Sequence, residues 1–210
     1  MSRAVADALG FLLVDTGAMY RAVALAAARA GILLTDARRV GHVARGLVLA
    51  RAIRLVPDRA RGVRVDLDGE DVSDAIRSPE MGLGASAVSV HPDVRAALLD
   101  LQRQAGRDGG VVLEGRDIGT VVFPDAEAKF FLTARPEVRA KRRYEELVAK
   151  GQVVTFDQTL RDVIKRDTQD ETRAVAPLRR AADAVEIDCS SRSVEETVDL
   201  IVNGVKRLSG

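Results

Sequence analysis

The chain has 210 residues, 47% of them hydrophobic and 30% charged, with 32 Lys and Arg against 31 Asp and Glu for a net charge of +1. That is enough apolar material for one sizeable core, and the charge is too balanced for a broad nucleic-acid or membrane surface. The lone Cys189 excludes an internal disulfide, and the sequence has no charged-then-apolar leader or apolar span of about 18 residues, so the cytoplasm is the expected compartment. Its two histidines, His42 and His91, lack the i, i+4 spacing of a zinc pair, and no dedicated metal site is expected.

In chain order, Phe11–Val14 reads as a short apolar strand, followed by Asp15-Thr16-Gly17-Ala18-Met19-Tyr20-Arg21 where strand gives way to a helix over Ala18–Ala30. From about Ile53 to Ile76 the pattern changes. Ile53–Val56 and Val63–Leu67 alternate apolar with polar residues around Pro57 and Gly62, and Asp68-Gly69 reads as a turn. A helix is predicted over His91–Gln104, then a strand over Val111–Leu113, bounded by glycines as a buried parallel strand would be. Strands at Lys129–Thr133 and Ala184–Asp188 alternate with helices at Pro136–Lys150, Phe156–Gln169 and Val194–Leu208, which gives an α/β class. Cys189 reads as a plain strand-end residue.

Three segments carry chemistry. The first is Asp15 to Arg21. The second, Glu114-Gly115-Arg116-Asp117-Ile118-Gly119-Thr120-Val121-Val122-Phe123-Pro124-Asp125, sets an arginine and a carboxylate at a strand end, where open α/β sheets bind ligands. In the third, Arg166 to Pro177, the spacing of Arg166, Asp170 and Arg173 predicts one helical face with two guanidiniums around a carboxylate, suited to a phosphate and a sugar hydroxyl. Arg139, Arg142 and Arg143 also share a helical face.

Together these segments resemble the bacterial cytidylate kinases, nucleoside monophosphate kinases that phosphorylate CMP and dCMP, from about Ala4 to the C-terminus. The resemblance implies a P-loop NTPase-like parallel sheet with helices on both faces, its first strand in the middle. It also implies one domain over 1–210, with a β-rich NMP-binding insertion at about 53–76 and a lid at about 135–155. The implied reaction uses ATP with Mg2+ to convert CMP and dCMP to CDP and dCDP. Partners are small nucleotides only, without nucleic acid polymer or membrane, in a monomer.

By that resemblance Thr16 contacts CMP, Arg21, Arg116 and Arg173 approach the acceptor phosphate, and Arg166 and Asp170 reach the ribose and the transferred group. Ser86, Arg95 and Asp117 surround the base, with Ser89 able to stand in for Ser86. A carboxylate there accepts from the exocyclic amino group of cytosine and repels the carbonyl of uracil. Arg139, Arg142 and Arg143 belong to the lid over ATP. The catalytic group, which neutralises charge on the transferred phosphoryl, is Arg116, Arg166, Arg173, Arg139 and Arg142.

The resemblance also implies a strand and a Gly-rich loop ending in Gly-Lys-Ser/Thr just before the helix that reads Ser2–Gly10 here. No Gly-Lys dipeptide occurs in the 210 residues. The expectation is therefore a chain that lacks the central first strand and the P-loop ligands, is inactive as written, and is unstable alone because neighbouring strands lose partners. A start assigned at an internal methionine would account for this, as would a natural loss leaving a non-catalytic CMP-binding protein. UMP and AMP remain alternative acceptors; Asp117 argues against the first.

Overall fold

The computed structural model describes residues 1–58 and 62–208. Two compact units emerge, Ser2–Ile118 and Gly119–Gly210.

In Ser2–Ile118, helix α1 (Ser2–Leu9) buries Val5 and Ala6 and ends at Gly10, whose φ of +68° lets the chain reverse into strand β1 (Leu12–Asp15). Helix α2 (Thr16–Arg29) follows at once, then α3 (Ala37–Leu49), β2 (Ile53–Asp58), β3 (Gly62–Leu67), β4 (Glu70–Asp71), a 3-10 turn (Ala75–Arg77), α4 (Pro79–Ser89), α5 (Pro92–Gly106) and β5 (Val111–Glu114). β1 and β5 are parallel, with Leu12 opposite Val111 and Asp15 opposite Glu114. β2, β3 and β4 form an antiparallel sheet. Its β3–β4 hairpin turns at Asp68 (φ 52°) and Gly69 (φ 84°), the left-handed pair a two-residue turn requires. The stretch read from sequence as β-rich thus contains this sheet, while residues 59–61 within it lie outside the described residues.

The core of this unit sits around α2, with Met19, Val23, Val40, Val72, Val88, Val94 and Leu98 fully buried. Helices α3 and α4 are not among the elements anticipated in the sequence. Two of their glycines mark close approach. A Cβ at Gly84 would lie 3.0 Å from Ala24 Cβ and 3.2 Å from Leu34 Cδ1, and one at Gly41 would lie 2.7 Å from Asp93 Cβ.

Gly119–Gly210 carries β6 (Phe130–Thr133), α6 (Pro136–Ala149), α7 (Phe156–Thr172), β7 (Val185–Asp188) and α8 (Val194–Leu208). A π-turn over Ile118–Val122 leads into it from β5. β6 and β7 are parallel, with Phe130 opposite Val185 and Thr133 opposite Asp188. Cys189 follows β7 directly, buried, its N–H bonded to Thr133 O. Among the described residues, the parallel strands therefore form two two-stranded sheets. No helix among them is long and apolar enough to cross a membrane.

Candidate active site

Because β1 and β5 are paired in register, their carboxyl ends bring Asp15-Thr16 beside Gly115-Arg116-Asp117. Thr16, the first residue of α2, is buried and donates through Oγ1 to Glu114 O at 2.9 Å. Gly115 lies against that hydroxyl so closely that a Cβ would come within 2.5 Å of Thr16 Oγ1 and 2.7 Å of Ile118 Cδ1. Asp15 stands at the N-cap of α2, a position where carboxylates usually accept from helix N–H groups, but it makes no such bond. Its Oδ2 accepts from Arg21 Nη2 instead. Gly17 roofs this pair, since a Cβ there would be 3.0 Å from Asp15 Oδ1 and 3.2 Å from Arg21 Nη1. Arg21 Nε is buried with no hydrogen-bond partner among the described residues.

Asp117 is buried and accepts through Oδ2 from Arg95 Nη2, with the two side chains only 9% and 8% exposed. Arg95, one turn into α5, also donates through Nη1 to Ser89 O at 3.3 Å and lies over the Tyr20 ring, 5.5 Å from its centroid. Ser86 and Ser89 occupy the last turn of α4, both buried, and Ser89 Oγ donates to Ser86 O at 2.9 Å. Ser89 hence borders Arg95 through its carbonyl. His91 caps the approach to α5, its Nε2 2.8 Å from Leu34 O. Arg116 follows Gly115 at the strand end and is exposed. Thr16, Arg21, Ser86, Arg95, Arg116 and Asp117 are therefore gathered at one end of this unit.

In Gly119–Gly210 the remaining arginines sit on or beside α6 and α7. Arg139 grips Asp167 with two bonds, Nη1 to Oδ1 and Nη2 to Oδ2, both 2.7 Å, and donates from Nε to Ala134 O at 2.9 Å. The bond to Asp167 holds its guanidinium above its ordinary pKa. Arg142 Nη2 donates to Cys189 O at 2.7 Å, and Arg143 Nη1 pairs with Glu146 at 2.9 Å. On α7, Asp170 is buried between Arg166 (Nε to Oδ2, 3.9 Å) and Arg173 (Nη1 to Oδ1, 3.4 Å).

The reading of all three as one helical face needs correction at Arg173, which lies just past the helix at its C-cap with ψ of 142°. The chain leaves α7 there because it must reach Pro177. Ala176 adopts φ of 49°, its O accepts from Arg173 Nε at 2.6 Å, and Leu178 N returns to Asp170 O at 2.7 Å. The arginine still reaches Asp170 from outside the helix. Among the described residues, no group of three or more His, Cys, Asp or Glu side chains could hold a metal ion.

Asp15, Tyr20 and Asp167 were not singled out by sequence reasoning. All three lie inside the quoted segments, Asp15 and Tyr20 in the first and Asp167 in the third, so their position was the available signal.

The family model described as Cytidylate kinase matches residues 1–207. A cytidylate kinase of Citrifermentans bemidjiense is 50% identical over 206 residues, covering 98% of this chain and 86% of that protein. One from Geobacter sulfurreducens is 51% identical over 200 residues, covering 95% and 83%. A bifunctional pantoate ligase/cytidylate kinase of Synechococcus sp. is 46% identical over 208 residues, covering 99% of this chain and 38% of that protein. With the arginine-rich strand ends and a match along nearly its whole length, the chain belongs to the cytidylate kinase family of phosphotransferases acting on nucleoside monophosphates.

Proposed function

We propose that this protein transfers the γ-phosphoryl group of ATP, which enters as its Mg2+ complex, to CMP and dCMP, giving CDP and dCDP. A phosphate oxygen of the acceptor attacks the γ-phosphorus, the bond to the bridging oxygen breaks, and ADP leaves. Such transfer rests on alignment and charge neutralisation more than on covalent chemistry. The observation that carries the reading is the buried Arg95–Asp117 pair beside Thr16 and the unpaired Arg21 Nε at the ends of β1 and β5.

In this reading Asp117 accepts from the cytosine amino group, flanked by Arg95 and Ser86, and Thr16, Arg21 and Arg116 hold the acceptor. Arg166, Asp170 and Arg173 reach the ribose, the acceptor phosphate and the transferred group. Arg139, Arg142 and Arg143 belong to a lid over about 135–155, and the β2–β4 sheet to the NMP-binding insertion. The protein works as a cytoplasmic monomer of one kinase domain.

No Gly-Lys dipeptide is present among the 210 residues, so on this reading they supply the acceptor and lid sides, and alone they bind CMP without turnover. Titration calorimetry of the 210-residue chain tests it. CMP and dCMP should bind at least about ten-fold more tightly than UMP, the discrimination expected when a buried polar group loses its partner. Equal affinities for CMP and UMP would refute the acceptor assignment, and CDP formation by these residues from CMP and Mg-ATP would refute the absence of turnover.

A further inference from the structure

We infer that Tyr20 is a positioning residue for base discrimination, its ring acting as the platform that holds Arg95 so that Asp117 stays aimed at the pyrimidine. The inference rests on the reading of Asp117 as the group that meets the cytosine amino group. Tyr20 is buried in the second turn of α2, four residues after Thr16, so both lie on one helical face. Thr16 fixes that face to the end of β5 through Glu114 O, and Tyr20, one turn on, meets the Arg95 guanidinium carbon 5.5 Å from its ring centroid. Arg95 therefore has three restraints from three different elements. They are the Asp117 carboxylate after β5, the Ser89 carbonyl at the end of α4 and the Tyr20 ring on α2.

The ring does something the other two cannot. A carboxylate and a carbonyl fix the direction of two N–H bonds, but a guanidinium can still tilt about the line through them. The negative face of an aromatic ring favours a cation lying over it and blocks that tilt by contact. In a site where both charged side chains are less than one-tenth exposed, a tilted Arg95 would carry Asp117 Oδ2 with it, because breaking a buried charge pair is costly. The consequence is specific: the ring matters to the choice of base, through Asp117, and not to the grip on phosphate.

Calorimetric titration of CMP and UMP into the 210-residue chain and four variants tests this. Tyr20→Phe keeps the ring face and should leave the CMP-over-UMP affinity ratio within about two-fold of the parent. Tyr20→Leu removes the face and should lower that ratio by about five- to thirty-fold, the range of a desolvated cation–ring contact, with UMP affinity changing far less than CMP affinity. Tyr20→Met, which fills most of the volume with a flexible chain, should behave as Tyr20→Leu and is read in its place if the leucine variant does not fold.

Asp117→Asn separates the two levels of the argument. If it leaves the ratio unchanged, the base-reading assignment is wrong and this inference goes with it. If it abolishes the ratio while Tyr20→Leu and Tyr20→Met lower CMP and UMP affinity equally, Tyr20 is only a packing residue and the inference alone is overturned. A loss of the ratio in Tyr20→Phe would also overturn it, since the ring face is then not what acts.

Discussion

Replacing Gly115 by alanine should damage the strand-end junction through space and not through backbone conformation. Gly115 is not among the glycines with positive φ, so alanine can adopt its dihedral angles, and the whole penalty comes from the added methyl. That methyl would sit 2.5 Å from Thr16 Oγ1, 2.7 Å from Ile118 Cδ1 and 2.9 Å from Ile118 Cγ1. The isoleucine tip can rotate away. The threonine hydroxyl cannot move freely, because it is held at 2.9 Å from Glu114 O at the start of a helix. Overpacking of this kind costs about 1–3 kcal/mol, and displacing the hydroxyl adds the loss of one hydrogen bond, about 0.5–1.5 kcal/mol. The expected destabilisation is about 2–4 kcal/mol, measured by urea unfolding.

The decisive control is a double-mutant cycle with Thr16→Ala, which removes the atom met first. In that background Gly115→Ala should cost less by about 1–2 kcal/mol, well outside the roughly 0.5 kcal/mol scatter of independent sites. Additive penalties would show that Thr16 Oγ1 is not what excludes a side chain at Gly115, and the proposed reason for glycine there would be wrong.

Other consequences follow from single contacts. Arg95→Met should cost about 3–5 kcal/mol by removing the buried arginine partner of Asp117, whereas Arg95→Met combined with Asp117→Leu should recover most of it in chemical denaturation. An equal loss in both would mean that the pair is not the buried unit described. Gly204→Ala on α8 should lower stability by about 1–3 kcal/mol, since its Cβ would fall 2.8 Å from the Phe130 ring; an unchanged thermal midpoint would disprove that contact.

Acid should weaken the fold through carboxylates held below their ordinary range. Glu70 is lowered by its bond from Arg29, Glu146 by Lys150, Asp183 by Lys129 and Asp188 by Ser190. Each binds fewer protons folded than unfolded. Its contribution is therefore complete above the unfolded carboxylate pKa of about 4 and is lost as pH falls through the lower folded value. Unfolding midpoints should be flat from neutrality to about pH 5 and fall below it. A midpoint that rises on acidification in that range contradicts the assignment.

How far such a site can be read in advance depends on which partner each group finds. The strand ends were legible because β1 and β5 are short apolar runs whose polar neighbours follow at once. A parallel pair in register then leaves Thr16 and Gly115 little choice of position. Helices α3 and α4 were not read from the sequence; Gly41 and Gly84 within them admit close neighbours, and composition does not distinguish a glycine that breaks a helix from one that admits a neighbour. Arg173 was assigned the right partner on the wrong element, because spacing by seven predicts a face only while the helix lasts, and Ala176-Pro177 ends it.

Arg139 and Arg142 mark the limit most clearly. Their spacing identified a basic helical face, yet one guanidinium closes on Asp167 of the next helix and the other on the carbonyl after β7. An arginine run states that charge is available. Whether it faces a ligand or fastens two elements is decided by acceptors remote in sequence, and here Arg139 fastens the helix that carries Arg166 and Asp170. Local spacing has no means of expressing which acceptor a guanidinium finds.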